Sequence, residues 1–441
     1  MKIAWFSPMA PSRSGIAAYS AEVVSLIRDR GFEIDVFAES NGHDFVWKHR
    51  RNGYDLVVFQ MGNARCHDYM WGYLFRYPGL VVLHDAQLHQ ARALALTRRW
   101  NPRREDYLAE FRANHPGAPD DLGELVATGG MGGTLFQHWP FIRLVVEAAR
   151  MTVVHNVRVA RSLEERFPSA RIESVEMGVG DPLAGVPDAS RVRDEVRRRH
   201  NIAGDAVLLA AFGGVTPEKR IPQVLRALSA CAERYPQLHF MLVGEQAPHY
   251  DALEDARAWR IADRVHVTGF VSDASLGEYL VAADACTCLR WPTNRETSAS
   301  WLRCLAAGQP TLVTDLTELA DVPSLDPRGW RVVQAAGISH PPVVITIDLL
   351  DEEHSLQLAI ERLVIDPALR RELGAAARAW WSAHHQLAPM AGAYDRLLRQ
   401  AAGIQPATIA LPQHLTDEGL GRARALFDDL DLADRAGFLT S

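Results

Sequence analysis

Short apolar runs alternate with amphipathic stretches along most of the chain. Lys2–Phe6, Glu33–Ala38, Leu56–Gln60, Leu80–His84, Met151–His155 and Arg171–Met177 read as strands, and Ile16–Arg28 as a helix that follows a loop. Near-continuous apolar strands separated by helical patterns predict a parallel sheet with helices on both faces. A long, irregular insert is expected from Arg98 to Pro140. The stretch from Gly178 to Ser190 then holds three Gly and two Pro and breaks the pattern. Beyond a charged helix, Arg191–His200, a second series begins. Its strands are Ala206–Phe212, Phe240–Gly244, Arg264–Thr268, Asp284–Leu289, Pro310–Asp315 and Val343–Thr346. Its helices are Pro222–Arg234, Leu276–Ala283, Trp301–Ala307 and Ser355–Val364. The pattern predicts an α/β protein of two doubly wound, Rossmann-like domains facing across a cleft, residues 1–183 and 184–376. A last helical stretch, Pro367–Arg399, is interrupted near His384–Ala388. Its final part, 377–402, is expected to cross back to the first domain. A tail, 403–441, carries one short acidic helical pattern, Thr416–Leu430, with a docking or capping role at most.

Composition changes this picture little. The 441 residues are 48% hydrophobic and 23% charged, as in ordinary globular enzymes. The formal charge of −7 and the lack of a long basic run argue against a nucleic-acid scaffold. No apolar run has the length of a membrane span, and the apolar run of the first strand is too short for a signal peptide. Cys66, Cys231, Cys286, Cys288 and Cys304 form no metal or disulfide framework, which suggests a reduced, cytoplasmic location.

The candidate chemistry lies in loops at the carboxyl ends of the predicted strands, where open α/β sheets bind ligands. Between Leu289 and Pro310 a lone carboxylate, Glu296, precedes the small residues Thr297, Ser298, Ala299 and Ser300, which lead into a helix. A helix start offers free N–H groups and the positive end of the dipole, and so accepts phosphate. A carboxylate beside it meets whatever hangs on that phosphate, as a nucleotide-sugar site requires. The plain alternative is a helix cap, since Ser and Thr cap helices widely. In the loop after Phe212, Gly213 and Gly214 let backbone approach a ligand, and Lys219 and Arg220 stand at a helix start. Positive charge is unfavourable there unless an anion is close; a diphosphate would satisfy both cations, and the alternative is two solvated charges.

In the first half, Gly15 opens a helix after Ser7–Ser14, and His84 and Asp85 close a strand. His84 faces a sugar or acceptor, or else is satisfied by a loop carbonyl; His155 reads more simply as a structural helix-start residue. Trp71, Trp100 and Trp139 are better explained by core packing than by sugar stacking. No G-x-G-x-x-G is present, which excludes a standard dinucleotide fingerprint and disfavours a dehydrogenase; the P-loop spacing is also missing. No D-x-D cluster is placed to hold a metal.

Taken together, these pieces resemble the retaining, nucleotide-sugar-dependent glycosyltransferases of the GT-B fold, family 4, also called glycosyl transferases group 1. The matching segments are Pro11–Ala17, the strand end at His84, Gly178, Gly213–Arg220, Leu242–Gly244, Val267–Val271, Ala283–Asp284 and Arg295–Ser298 through Gly308–Pro310. The resemblance implies hexosyl transfer from a nucleotide-diphosphate donor, in carbohydrate biosynthesis, without a further cofactor. Lys219 would neutralise the diphosphate, with Arg220, Gly15, Gly213, Gly214 and Gly244 around the donor. Glu296 would bind donor-sugar hydroxyls, and the amides of Thr297, Ser298, Ala299 and Ser300 the distal phosphate. Phe270 and Val271 would meet the nucleobase, and His84 would assist the reaction.

The acceptor, a sugar-containing or otherwise polar molecule, would lie on the first domain; peripheral contact with a membrane stays open. Two departures stand out. The family's Arg five residues before the lysine is Gly214 here, leaving Arg220 as the alternative cation. Its second Glu, eight residues after the first, is Cys304, and the neighbouring Arg303 is either a surface charge or a phosphate partner. A non-catalytic nucleotide-sugar-binding or scaffolding protein, or a GT-B relative such as a sugar-nucleotide epimerase, is the alternative reading.

Overall fold

The computed structural model describes residues 1–97, 103–130, 133–334, 339–416 and 429–430. The chain divides into two compact units, Met1–Ser174 with Tyr394–Ser441, and Val175–Ala393. The first division thus falls ahead of the glycine- and proline-rich break, where composition placed it.

The first unit is built on six strands: β1 (Lys2–Phe6), β2 (Glu33–Phe37), β3 (Leu56–Met61), β4 (Leu80–Leu83), β5 (Met151–Val154) and β6 (Ile172–Ser174). They pair in parallel in the order β2-β1-β3-β4-β5-β6. Ile3, Ala4, Trp5 and Phe6 have no exposed surface, as expected of a strand covered on both faces. The order reverses between β1 and β3, which opens a crevice at their carboxyl ends.

The insert departs from its expected irregularity. It contains the helices Arg104–Asn114, Asp120–Ala127 and Gly133–His138. Tyr107, Leu108, Phe111 and Val126 form a small core with Phe141, Ala93 and Leu96. Asp120 and Asp121 favour the start of their helix through the dipole. Trp100 lies outside the described residues. Trp71 is buried under the Arg92 guanidinium at 4.5 Å, and Trp139 packs on Phe111 and His115, so both serve packing.

The last helical stretch is two helices, Pro367–His384 and Leu387–Ala402. At the break, the His385 carbonyl accepts from the Val179 N–H at 3.0 Å. A Cβ on Gly178 would lie 2.4 Å from the Gln386 carbonyl oxygen, so this close approach requires glycine. The helix Leu387–Ala402 begins in the second unit, and from Tyr394 onward it belongs to the first. Ile409, Leu411 and Leu415 then pack on the first unit's core. The acidic pattern expected over Thr416–Leu430 lies almost wholly outside the described residues.

The second unit has β7 (Val207–Phe212), β8 (Leu238–Val243), β9 (Val265–Val267), β10 (Ala285–Cys288), β11 (Thr311–Thr314), β12 (Ser324–Asp326), β13 (Arg331–Val333) and β14 (Val344–Ile347). The sheet order is β13-β12-β14-β11-β10-β7-β8-β9, parallel except for the β12–β13 pair. That hairpin had no signal in the hydrophobic pattern, because each strand has three residues and β13 is exposed. Here the order reverses between β7 and β10. Among the described residues, no helix is long and apolar enough to cross a membrane.

Candidate functional site

The reversal between β7 and β10 sets the loop after Phe212 beside the loop after Cys288, the two loops singled out in the sequence. Gly213 adopts φ +87°, where glycine is favoured, and is exposed. A Cβ there would stand 2.8 Å from Lys219 Nζ and 3.2 Å from Ser300 Oγ, so the lysine and the start of the helix Ala299–Ala306 converge over this glycine. Gly244, at the end of β8, closes on the same point: a Cβ on it would lie 2.1 Å from the Gly213 carbonyl oxygen. Gly214 differs. It is exposed, and a Cβ there would meet nothing within 4 Å.

Lys219 ends a short turn, Pro217–Lys219, rather than starting the helix, and its ammonium donates to the Phe212 carbonyl. Burial of that ammonium, then the nearby Arg290 charge, push its pKa down to about 8; Cys288, Cys304 and Glu296 oppose the shift. The solvated-charge alternative is therefore wrong for Lys219. Arg220, at φ +59°, turns away to a two-point ion pair with Glu352, with Nε 2.7 Å from Oε1. The anion its position demanded is a carboxylate of the same unit.

Glu296 is held from several sides. Oε2 accepts from the Asn294 N–H at 2.8 Å and the Thr293 hydroxyl at 3.1 Å. Oε1 lies 2.7 Å from Arg290 Nε. Arg295 reaches Glu318 at 3.0 Å, and Arg303, with only 18% of its side chain exposed, lies 3.6 Å from Asp273. The helix begins two residues earlier than expected, because Ser298 caps it by accepting from the Trp301 N–H at 3.2 Å. The cap satisfies one amide, and the first turn carries the dipole's positive end beside Thr297, Ala299 and Ser300. Cys304 is buried, its Sγ 3.9 Å from Cys288 Sγ, and burial pushes its thiol pKa up, so a packed thiol stands where a ribose carboxylate was sought. Phe270 exposes 54% of its surface after β9, while Val271 packs against the core.

The first unit holds the remaining candidates. Ser14 caps the helix that Gly15 opens, and a Cβ on Gly15 would meet open space, so packing does not demand this glycine. His84 is buried at the end of β4, with Nε2 2.7 Å from Gln60 Oε1. Its ring packs edge-on against Tyr19 and lies 4.8 Å from that of His155. Burial, then His155 and His67, hold its pKa well below the usual histidine value. His84 is therefore a neutral, hydrogen-bonded group at neutral pH.

Sequence reasoning missed Arg290. It stands just past a strand, and its pairing with Glu296 crosses a loop with no helical or strand periodicity. Its proximity to a catalytic candidate on a βα loop was the only available signal.

Two doubly wound parallel-sheet units, each with polar groups at the carboxyl end of its switch point, define the GT-B fold. Sucrose-phosphate synthase from Thermosynechococcus elongatus shares it, with TM-score 0.61 and 16% identity over 90% of this chain and 98% of that one. So does HepE of Anabaena, solved in complex with UDP and glucose, with TM-score 0.59 and 13% identity over 91% and 100% of the chains. WaaG, a glycosyltransferase involved in lipopolysaccharide biosynthesis, gives 0.58 and 14% over 91% and 100%. At such identities the likeness is one of fold. No curated protein matches the chain in sequence. Residues 206–335, which include the loops after Phe212 and Cys288, match the family model described as glycosyl transferases group 1. The chain as a whole has the GT-B fold, and the match to the group 1 glycosyltransferase model is confined to its second unit.

Proposed function

We propose that the protein transfers a sugar from a nucleoside-diphosphate donor to a polar acceptor with retention of anomeric configuration. The observation that carries this reading is the meeting of Lys219, Ser300 and a capped helix start over Gly213 at the switch point of the second sheet, with Glu296 in the adjoining loop. In the reaction, the bond from the anomeric carbon to the donor phosphate oxygen breaks, a bond to an acceptor hydroxyl oxygen forms, and the hydroxyl proton passes to the departing diphosphate. Lys219 and the first-turn amides bear the charge that develops on the leaving diphosphate. Glu296 accepts from hydroxyls of the donor sugar, and the exposed ring of Phe270 offers a face to the nucleobase. The UDP and glucose bound to Anabaena HepE are the kind of ligand this reading expects.

The acceptor is assigned to the first unit, near Ser12–Gly15, His84–Gln87 and the helical insert. The five free thiols suit a reduced compartment. Titration of the protein with a panel of nucleoside-diphosphate sugars, followed by release of nucleoside diphosphate with and without candidate acceptors, tests the proposal. Binding and acceptor-dependent release are expected; binding with no release from any donor would instead indicate a non-catalytic binder.

A further inference from the structure

We propose that Arg290 provides the second fixed positive charge for the donor diphosphate, in place of the arginine this chain lacks at position 214, by exchanging its bond to Glu296 for a phosphate oxygen. The inference rests on the reading of this site as a nucleoside-diphosphate site.

Four arginines lie in or beside the two site loops. Arg220, Arg295 and Arg303 are matched by Glu352, Glu318 and Asp273. Arg290 differs, because its carboxylate partner is Glu296, the group assigned to the donor sugar. It lies two residues past the end of β10, and its N–H donates to Thr314 Oγ1 at 2.9 Å, which anchors its backbone at the carboxyl end of β11. About a third of its side chain, 36%, is exposed, so the guanidinium is open to a ligand. Lys219 and Arg290 place two cations beside one carboxylate, in surroundings dry enough to depress the lysine. A bound diphosphate relieves that excess, and a guanidinium meets phosphate oxygens in a two-point geometry.

The exchange also explains how Glu296 becomes available. Its Oε2 stays on Asn294 and Thr293. Its Oε1, released by Arg290, is then free to accept from a sugar hydroxyl. Donor phosphate and donor sugar are in this way read together by one ion pair that opens.

The test measures binding of UDP, GDP, UMP and GMP by calorimetry to the full-length protein and its variants. Arg290→Ala should lose roughly 10-fold or more in affinity for the preferred diphosphate, the loss of one charge-assisted bond, with a change of about 2-fold or less for the monophosphate. Arg290→Gln, which keeps a hydrogen bond to Glu296 but no charge, should lose as much, and answers the question should the alanine variant fold poorly. Position 214 has open space around its Cβ, so Gly214→Arg combined with Arg290→Ala should recover most of the lost affinity. A role confined to holding Glu296 in place predicts no such recovery. Wild-type diphosphate affinity in both Arg290 variants, or a double variant no better than Arg290→Ala, overturns the proposal. Failure of the wild type itself to bind any of the nucleotides would remove the donor-site reading, and is seen before any variant is made.

Discussion

The two units share a topology but fill their switch points differently. In the first, His84, His155, Gln60, Tyr19 and Tyr394 are buried together, and their bonds close on one another: His84 on Gln60, and Tyr19 on Tyr394 at 2.6 Å. Burial drives the histidine toward its neutral form and the tyrosines away from ionisation, so the cluster carries no charge to attract a ligand. In the second, a desolvated lysine and an arginine lie beside one carboxylate, Glu296. The first cluster bonds mainly to itself, although Gln60 Nε2 is buried without a hydrogen-bond partner among the described residues. The second holds more positive than negative charge in dry surroundings, which is what the proposed diphosphate site would need.

The contrast can be broken most sharply at its strongest charge. Lys219→Ala should weaken binding of a nucleoside diphosphate by roughly 10- to 100-fold, measured by calorimetry, because a desolvated charge-assisted bond is lost. Next, Glu296→Gln should keep nucleotide affinity but lower the rate of sugar transfer by about 10-fold, since the group acts on the sugar; unchanged turnover would remove Glu296 from the site.

A pH series comes third. Because the folded pKa of Lys219, about 8, lies below its ordinary value, the cation is present below that pH and lost above it. Diphosphate affinity should fall several-fold as pH rises through about 8, and this fall should vanish in Lys219→Ala. The same depression means that above pH 8 the unfolded chain binds more protons, so the lysine's burial penalty to stability is relieved between about 8 and its ordinary value. The smallest effect on binding is expected at Arg220→Ala, about 3-fold or less. Its larger consequence is a melting-temperature loss, because Glu352 is left buried without its partner. A binding loss at Arg220→Ala equal to that at Lys219→Ala would reverse their ranking.

The strands and the loops after Phe212 and Cys288 were legible because parallel strands are near-continuously apolar and because Gly, Ser and lone charges punctuate loop ends. The partners were not. Arg220 and Glu352 meet from distant parts of the chain, and sequence spacing carries no trace of that contact. The insert was misread because its helices mix Tyr107, Leu108 and Phe111 with Arg and Glu, some of which are themselves buried in pairs: Glu110 is fully covered by Arg92 and His414. A charge assumed to face water hides a helical face. Cys304 illustrates the opposite failure, since a position judged by family spacing was filled according to local packing.

The return of the chain at Tyr394 has a consequence for synthesis. Tyr394 has no exposed surface, bonds Tyr19 and lies against Trp5, yet well over half of the chain is made before it appears. The entire second unit emerges from the ribosome while the core of the first still lacks this plug. The earlier unit must therefore wait, with Trp5 and Tyr19 unsealed, for the later one to leave the exit tunnel, and a nascent chain stalled before residue 394 would present that open face to chaperones and proteases.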